Sequence, residues 1–374
     1  MNKYNTDNLA KPELIIILGF LIRATCSFIN SFVGSLPGAT NDAMAYHDSA
    51  VNFSNGMPYF MDTIDQGKAL VIILGTLYKI IPANMELFLG GILSCIVWGF
   101  SAIFLFRALE FAKVKNSSIS IALIIYSFLP FGIIFTSITL RESYQLLLIN
   151  LILYFIILVL KKEKIQFIFS LLATLIALAF FHKSFIFFTL FITLVLFLKI
   201  FMNKLSPYYE SHKFFILVIF ISGAYVYLPL YTEYYNNIID LVQSFKFNQI
   251  QNARAIYKDQ LQVTYEAKYF LSSVVYSFIQ FEFEPFPWRE TSTVDNVLIV
   301  QNLFRMFLFY QIIKRLILSF KTKNLNYIVI FSIFIFLELL WSTGTVNWGT
   351  AVRHQIPGYG LFIFLSFINL KKFK

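Results

Sequence analysis

Residues 166–201 read QFIFSLLATLIALAFFHKSFIFFTLFITLVLFLKIF. As one helix the stretch would rise about 54 Å, against a bilayer core of roughly 30 Å. Lys164 and Lys199 bracket it, and lysines at the ends of apolar spans collect on the cytoplasmic side, so both ends need the same face. A tight hairpin at His182-Lys183-Ser184 meets both demands and divides the run into spans 166–181 and 184–201. The chain crosses and returns, which makes it an all-α, polytopic membrane protein.

The composition agrees. Hydrophobic residues make up 58% of the 374 positions, aromatics 19% and charged residues 13%, with a mean hydropathy of +0.70. A soluble chain of this length needs far more polar surface. Further spans are expected at 12–34, 86–107, 118–137, 143–160, 213–230, 295–316, 324–342 and 355–370, about ten in all with the hairpin pair, in a single transmembrane domain over 1–374. With both termini in the cytoplasm, most of the 30 basic residues fall in short cytoplasmic loops, and the opposite orientation reverses that bias. The net charge of +10 is therefore explained by lysines at helix ends, with no nucleic-acid partner implied. Cys26 and Cys95 lie inside apolar spans, so neither a disulfide framework nor a cysteine metal cluster is indicated. The first span runs on from Lys11 without a small-residue cleavage site.

Two loops on the extracytoplasmic side are long, 35–85 and 231–294. Each contains an apolar stretch too short to span. The first, 69–81, reads as an interfacial helix or shallow re-entrant element, and the second, 269–283, as an aromatic helix along the membrane surface. Glu284-Pro285-Phe286-Pro287-Trp288 follows as a rigid aromatic segment.

The polar side chains gather on that same side. Asn41-Asp42-Ala43-Met44-Ala45-Tyr46-His47-Asp48 opens the first loop. Thr40 or Asn41 can cap a short helix there, with Asp42 in its first turn and Asp42, Tyr46 and Ser49 on one face. Asp62 and Asp65 follow in the loop, Arg141-Glu142 open the fourth span, His182-Lys183 form the hairpin tip, and Arg353-His354 precede the last span. Each has a plain structural reading beside the chemical one. Asp42 can merely start a helix, Arg141 and Glu142 can be an interfacial ion pair, and His182 and Lys183 can cap a hairpin. Arg23 and Glu338 read as structural partners inside the bundle, and Arg305 as structural too. The joint pattern, acids and cations converging on one outer membrane face, fits carboxylate base catalysis on a hydroxyl with cations holding a lipid phosphate.

Asp42-Ala43, Tyr46, Ala50 and Gly56, after a first span containing Arg23, resemble the first-loop signature of the GT-C membrane glycosyltransferases, which use polyprenyl-phosphate-linked sugars. The likeness continues in Gly75-Thr76-Leu77-Tyr78 and in Pro130, Ser137 and Arg141-Glu142. Less specifically, Pro285-Phe286-Pro287-Trp288 and Asn347–His354 resemble membrane proteins of bacterial surface-polysaccharide (O-antigen or capsule) loci. Two departures stand out: Ala43 follows Asp42 where the family often has a second acid, and a large soluble C-terminal domain is lacking. Both count against a protein acceptor.

The resemblance implies a glycosyltransferase at the extracytoplasmic face of a bacterial inner membrane. Its expected partners are a polyprenyl-phosphate- or diphosphate-linked sugar donor, a glycan acceptor and membrane lipids. It implies Asp42 as base and Glu142 as a second acid that orients the acceptor. Arg141, Lys183, Arg353 and His354 become candidates for the phosphate, and Tyr46, His47 and His182 for other substrate contacts. A divalent cation on Asp42 and Glu142 is the one cofactor it leaves open. Repeat-unit polymerase is the leading expectation, with a single-sugar transferase and a lipid-linked oligosaccharide flippase as alternatives.

Overall fold

The computed structural model describes residues 11–57, 67–161, 166–205, 270–289, 292–371 and 373. Expectations for Asp62, Asp65, span 213–230 and most of loop 231–294 lie outside the described residues. Those described are all-helical, with no strand among them. Five helices are long and apolar enough to cross a membrane: Pro12–Phe32, Ala83–Phe111 with its opening 3-10 turn, Glu142–Leu160, Thr293–Lys321 and Leu325–Ser342.

The chain divides into two compact units, Met1–Ile186 with Ile356–Phe373, and Phe187–Gln355 with Lys374. The first holds α1 (Pro12–Phe32), α2 (Asp42–Ser54), α3 (Lys68–Tyr78), α4 (Glu86–Phe111), α5 (Asn116–Phe128), α6 (Pro130–Phe135), α7 (Glu142–Leu160) and α8 (Phe167–Phe181). Helix α9 (Phe185–Leu205) leads into the second, which holds α10 (Phe270–Phe283), α11 (Thr293–Lys321), α12 (Leu325–Ser342) and α13 (Trp348–Gln355). The last helix, α14 (Tyr359–Phe367), returns to the first unit, where it packs on α5 and α7.

Several helices are built inside out. Helix α1 buries Ile15, Gly19, Arg23 and Ser27, one residue per turn, and exposes Leu14, Ile17, Leu18, Leu21 and Phe28. Small and polar side chains facing a bundle, with apolar ones facing away, is the pattern that lipid favours. Helices α10 and α11 repeat it. Ser273, Ser277, Gln280 and then Gln301, Asn302, Arg305 are buried, while Val275, Ile279, Val300, Leu303 and Phe307 are exposed. Helix α10, expected to lie along a surface as an aromatic helix, thus packs its polar face against α11, α12 and α13.

The apolar run breaks into two helices at 182–184, where the turn was read. Backbone N–H groups of Phe185 and Ile186 donate to the carbonyls of His182 and Lys183, and Ser184 N donates to His182 Nδ1 at 3.1 Å. Two expected spans are interrupted. Region 118–137 breaks at Leu129, held extended (ψ 124°) by the Pro130 ring that follows it. Region 355–370 breaks into α13, a 3-10 turn at Ile356–Gly358 containing Pro357, and α14.

Arg23 is fully buried in the first unit, where its guanidinium donates to Thr136 Oγ1 (2.7 Å), Gly19 O (3.0 Å) and Ser127 O (2.9 Å). It also lies over the Trp98 ring, 3.5 Å from the centroid. Among the described residues, neutral acceptors and an aromatic face balance its charge. Nearby, Asn150 of α7 donates to the Ser101 hydroxyl of α4 (2.8 Å) and the Tyr126 hydroxyl of α5 (3.0 Å), joining three helices through a wholly buried polar knot.

Candidate functional site

In the first unit, the segment between α6 and α7 is irregular yet buried. Thr136, Ser137, Ile138, Thr139 and Leu140 are all within 1% of full burial. Irregular backbone normally lies at the surface, and in a membrane protein it persists at depth only inside protein or along a cavity. Its internal bonds are few: Ser137 N to Ile134 O (3.1 Å) and Leu140 N to Ile138 O (2.8 Å). The hydroxyls of Thr136 and Ser137 donate back to Gly132 and Ile133 of α6, and Thr136 Oγ1 also accepts from Arg23. Thr139 Oγ1 donates to the carbonyl of Ala43 at 2.9 Å, tying this linker to the first turn of α2.

That contact joins the segments that carry the two acid-bearing motifs of the first half of the chain. Asp42 opens α2 one residue before the bonded carbonyl. Two residues after Thr139, Arg141 caps α7 and Glu142 begins it, at the helix end whose dipole favours a carboxylate. Both are buried, 6% and 1% exposed. Arg141 Nε lies 4.0 Å from Glu142 Oε1, an ionic contact too long to be a hydrogen bond.

The expected face of α2 is rotated slightly. Ala43, Tyr46, Ser49 and Ala50 point inward, and Asp42 stands at the edge of that face, half-buried. Asn41 occupies the N-cap position without a side-chain capping bond, so Asp42 is not held there by a capping partner on that residue. Tyr46 packs directly on Gly67, where any side chain would collide with its ring. His47 pairs with Tyr78 of α3, Nδ1 to hydroxyl at 3.1 Å, with the rings edge to face. Tyr78 in turn fills the space above Gly90 of α4, where a Cβ would lie 2.5 Å from the Tyr78 hydroxyl. Burial lowers the His47 pKa below the ordinary imidazole range, with neighbouring Asp48 pulling weakly the other way. The ring is therefore neutral at physiological pH.

At the end of α8, Tyr144 of α7 stacks on Phe181 (5.5 Å between centroids), which places the first turn of α7 beside His182. His182 is buried and its Nδ1 accepts the Ser184 N–H, while Lys183 is exposed. The turn-forming role of His182 is thus visible directly.

The second unit carries the remaining candidates. His354 stacks over Trp341 (4.4 Å) and its Nδ1 lies 3.0 Å from Thr345 Oγ1, so its ring is fixed by packing; Arg353 is half-buried beside it on α13. Glu338, which the sequence pairs with Arg23, instead belongs with Glu282 and Arg305. Arg305 Nη2 donates to Glu282 Oε2 at 2.5 Å, and Glu338 lies close enough to interact with both. All three side chains are at most 1% exposed.

Sequence reasoning missed Tyr78, Thr139 and Glu282 as organisers. Thr139 and Tyr78 sat inside motifs quoted for other residues. Glu282 was signalled by the polar series Ser273, Ser277, Gln280 and Glu284 at helical spacing, which marks an inward-facing stripe on α10.

Among the described residues no three His, Cys, Asp or Glu side chains group as metal ligands. Of the two carboxylates that the resemblance offers to a cation, Glu142 already faces a guanidinium. No known family model matches the chain, and no curated protein matches it.

Proposed function

We propose that this chain is a polytopic membrane glycosyltransferase of GT-C type, about ten spans in all, working at the extracytoplasmic face of a bacterial inner membrane. It moves a sugar or an oligosaccharide repeat from a polyprenyl-phosphate or diphosphate carrier to a glycan acceptor during surface-polysaccharide assembly. The observation that supports the reading is the 2.9 Å bond from Thr139 to Ala43, which ties the residue after Asp42 to the linker two residues before Arg141.

Asp42, at the edge of α2, takes the proton of the acceptor hydroxyl as its oxygen attacks the anomeric carbon. The bond to the carrier phosphate breaks, and the phosphate leaves with the bonding electrons. Arg141 meets the charge that grows on the leaving oxygens, and Glu142 sets the orientation of that guanidinium. His47, neutral and bonded to Tyr78, offers a hydrogen-bonding surface that adds no charge beside Asp42. Repeat-unit polymerisation is the preferred variant. Addition of one sugar from a monophosphate carrier uses the same groups.

A second reading, a lipid-linked oligosaccharide flippase, draws support from the buried Glu282–Arg305–Glu338 cluster, because ionisable groups at membrane depth often mark transport pathways. Deleting the protein and running the surface glycan on a gel separates the readings. Loss of the ladder with a single-repeat band remaining supports a polymerase, and an intact ladder of altered mobility supports a single-sugar transferase. Lipid-linked repeats accumulating on the cytoplasmic side support a flippase and end the transferase reading.

A further inference from the structure

The second unit contains a groove of about 500 Å³, within the size range of small-molecule sites, lined by the last turns of α10, the segment 284–289 and Trp348. Its floor is buried: Gln280 and Glu284 are each 2% exposed. One wall is an aromatic platform. Trp288 is 78% exposed and stacks on Phe286, with centroids 4.9 Å apart and planes 9° from parallel.

The groove is held in shape by bonds that need no ligand. Arg289 Nε donates to Glu284 Oε1 at 2.6 Å, and its Nη2 meets the same oxygen. The backbone carbonyl of Glu284 accepts from Asn302 Nδ2 at 3.0 Å. Trp348 donates its indole N–H to Asp295 Oδ1 at 2.9 Å, while Asp295 Oδ2 closes the cap of α11 on Ser292. Asp295 therefore does two jobs, starting a helix and aiming the Trp348 ring. The Arg289 guanidinium lies 5.9 Å from the centroid of that ring.

The chemistry selects the ligand class. Glu284 cancels the charge of Arg289 and occupies its Nε and Nη2, so a phosphate would meet a carboxylate in the same place. Beside the flat rings stand the Glu284 carboxylate, the Arg289 guanidinium and the Gln280 side-chain amide. Sugar hydroxyls both donate and accept, and the C–H faces of a pyranose match an indole plane. We infer that this groove binds a neutral stretch of saccharide. The binding itself does not rest on the transferase reading.

The test uses the full chain in sugar-free nanodiscs of phosphatidylethanolamine and phosphatidylglycerol. Maltotetraose, cellotetraose and chitotetraose serve as probes, read by saturation-transfer NMR and tryptophan fluorescence. The expected result is saturation of at least one probe. Binding should weaken more than tenfold in Trp288→Ala and Arg289→Gln, persist in Trp288→Phe, and persist in Asp42→Asn. The inference is overturned if no probe is saturated, or if both Trp288→Ala and Arg289→Gln bind as wild type. It is equally overturned if Trp288 fluorescence ignores the sugars but is quenched by brominated acyl chains, which makes the residue a membrane anchor. Groove binding without any glycosyl transfer keeps this inference and removes the transferase; transfer without groove binding does the reverse.

Discussion

Thr139 donates its hydroxyl to the backbone carbonyl of Ala43 across 96 positions of sequence, both groups being buried. The bond fixes where the first turn of α2, and hence Asp42, stands relative to Arg141. Thr139→Val keeps shape and volume but withdraws the donor. The loss of one buried hydrogen bond destabilises by about 1–3 kcal/mol. The variant should therefore melt lower in detergent and lose glycosyl transfer, with Thr139→Ser restoring both. Wild-type transfer in Thr139→Val would show that this bond does not position the site.

Arg23 is expected to matter for folding rather than chemistry. Removing the guanidinium strands the acceptors Thr136, Gly19 and Ser127 and empties the space under Trp98. Hydrogen bonds to a charged group contribute about 1.5–3 kcal/mol each, so Arg23→Ala should fail to give folded protein on size-exclusion chromatography. Arg23→Met, which keeps most of the packing, should fold better and retain transfer. A folded but inactive Arg23→Met would move Arg23 into the site.

The Arg305–Glu282 pair makes a sharper energetic case. Breaking a buried ion pair on one side costs about 3–5 kcal/mol, whereas replacing both partners by apolar groups is often neutral. Arg305→Met should destabilise strongly, and the double change Arg305→Met with Glu282→Leu should recover most of the loss in a thermal melt. Additive losses in the double variant would contradict the pairing.

His47 gives a pH dependence of known sign. Its folded pKa is depressed by burial relative to an unfolded value near 6.5, so protonation favours the unfolded chain. Its contribution is complete above about pH 6.5 and declines as pH falls through that value toward the lower folded pKa. Melting temperature should hold steady from pH 8 to 7 and drop on further acidification, and His47→Gln should flatten the drop.

Much of this architecture can be read from the residues themselves. The helix break at 182–184 follows from run length and from the flanking lysines, and the helix at 42–54 from its polar start. Hydropathy averages over an apolar run, however, and so passes across Pro130 and Pro357, whose rings interrupt the helices locally. The partners of Arg23 were hidden for a different reason. Threonine, tryptophan and backbone carbonyls carry no formal charge, so a search for opposite charges looks past them to Glu338. The inward stripe on α10 was masked by its aromatic content, which resembles an interfacial helix until the polar spacing is counted. At the candidate site, residue types were legible, but the Thr139–Ala43 contact joins regions too distant in sequence for any local pattern to reveal.

The most direct measurement is transfer of radiolabelled sugar from a polyprenyl-linked donor by the reconstituted full chain, wild type against Asp42→Asn. Removing a general base typically lowers turnover by about 10²–10⁴-fold. The account predicts a loss of that size, with the variant folded and its binding of the lipid donor unchanged. Turnover within a few fold of wild type in Asp42→Asn would contradict it.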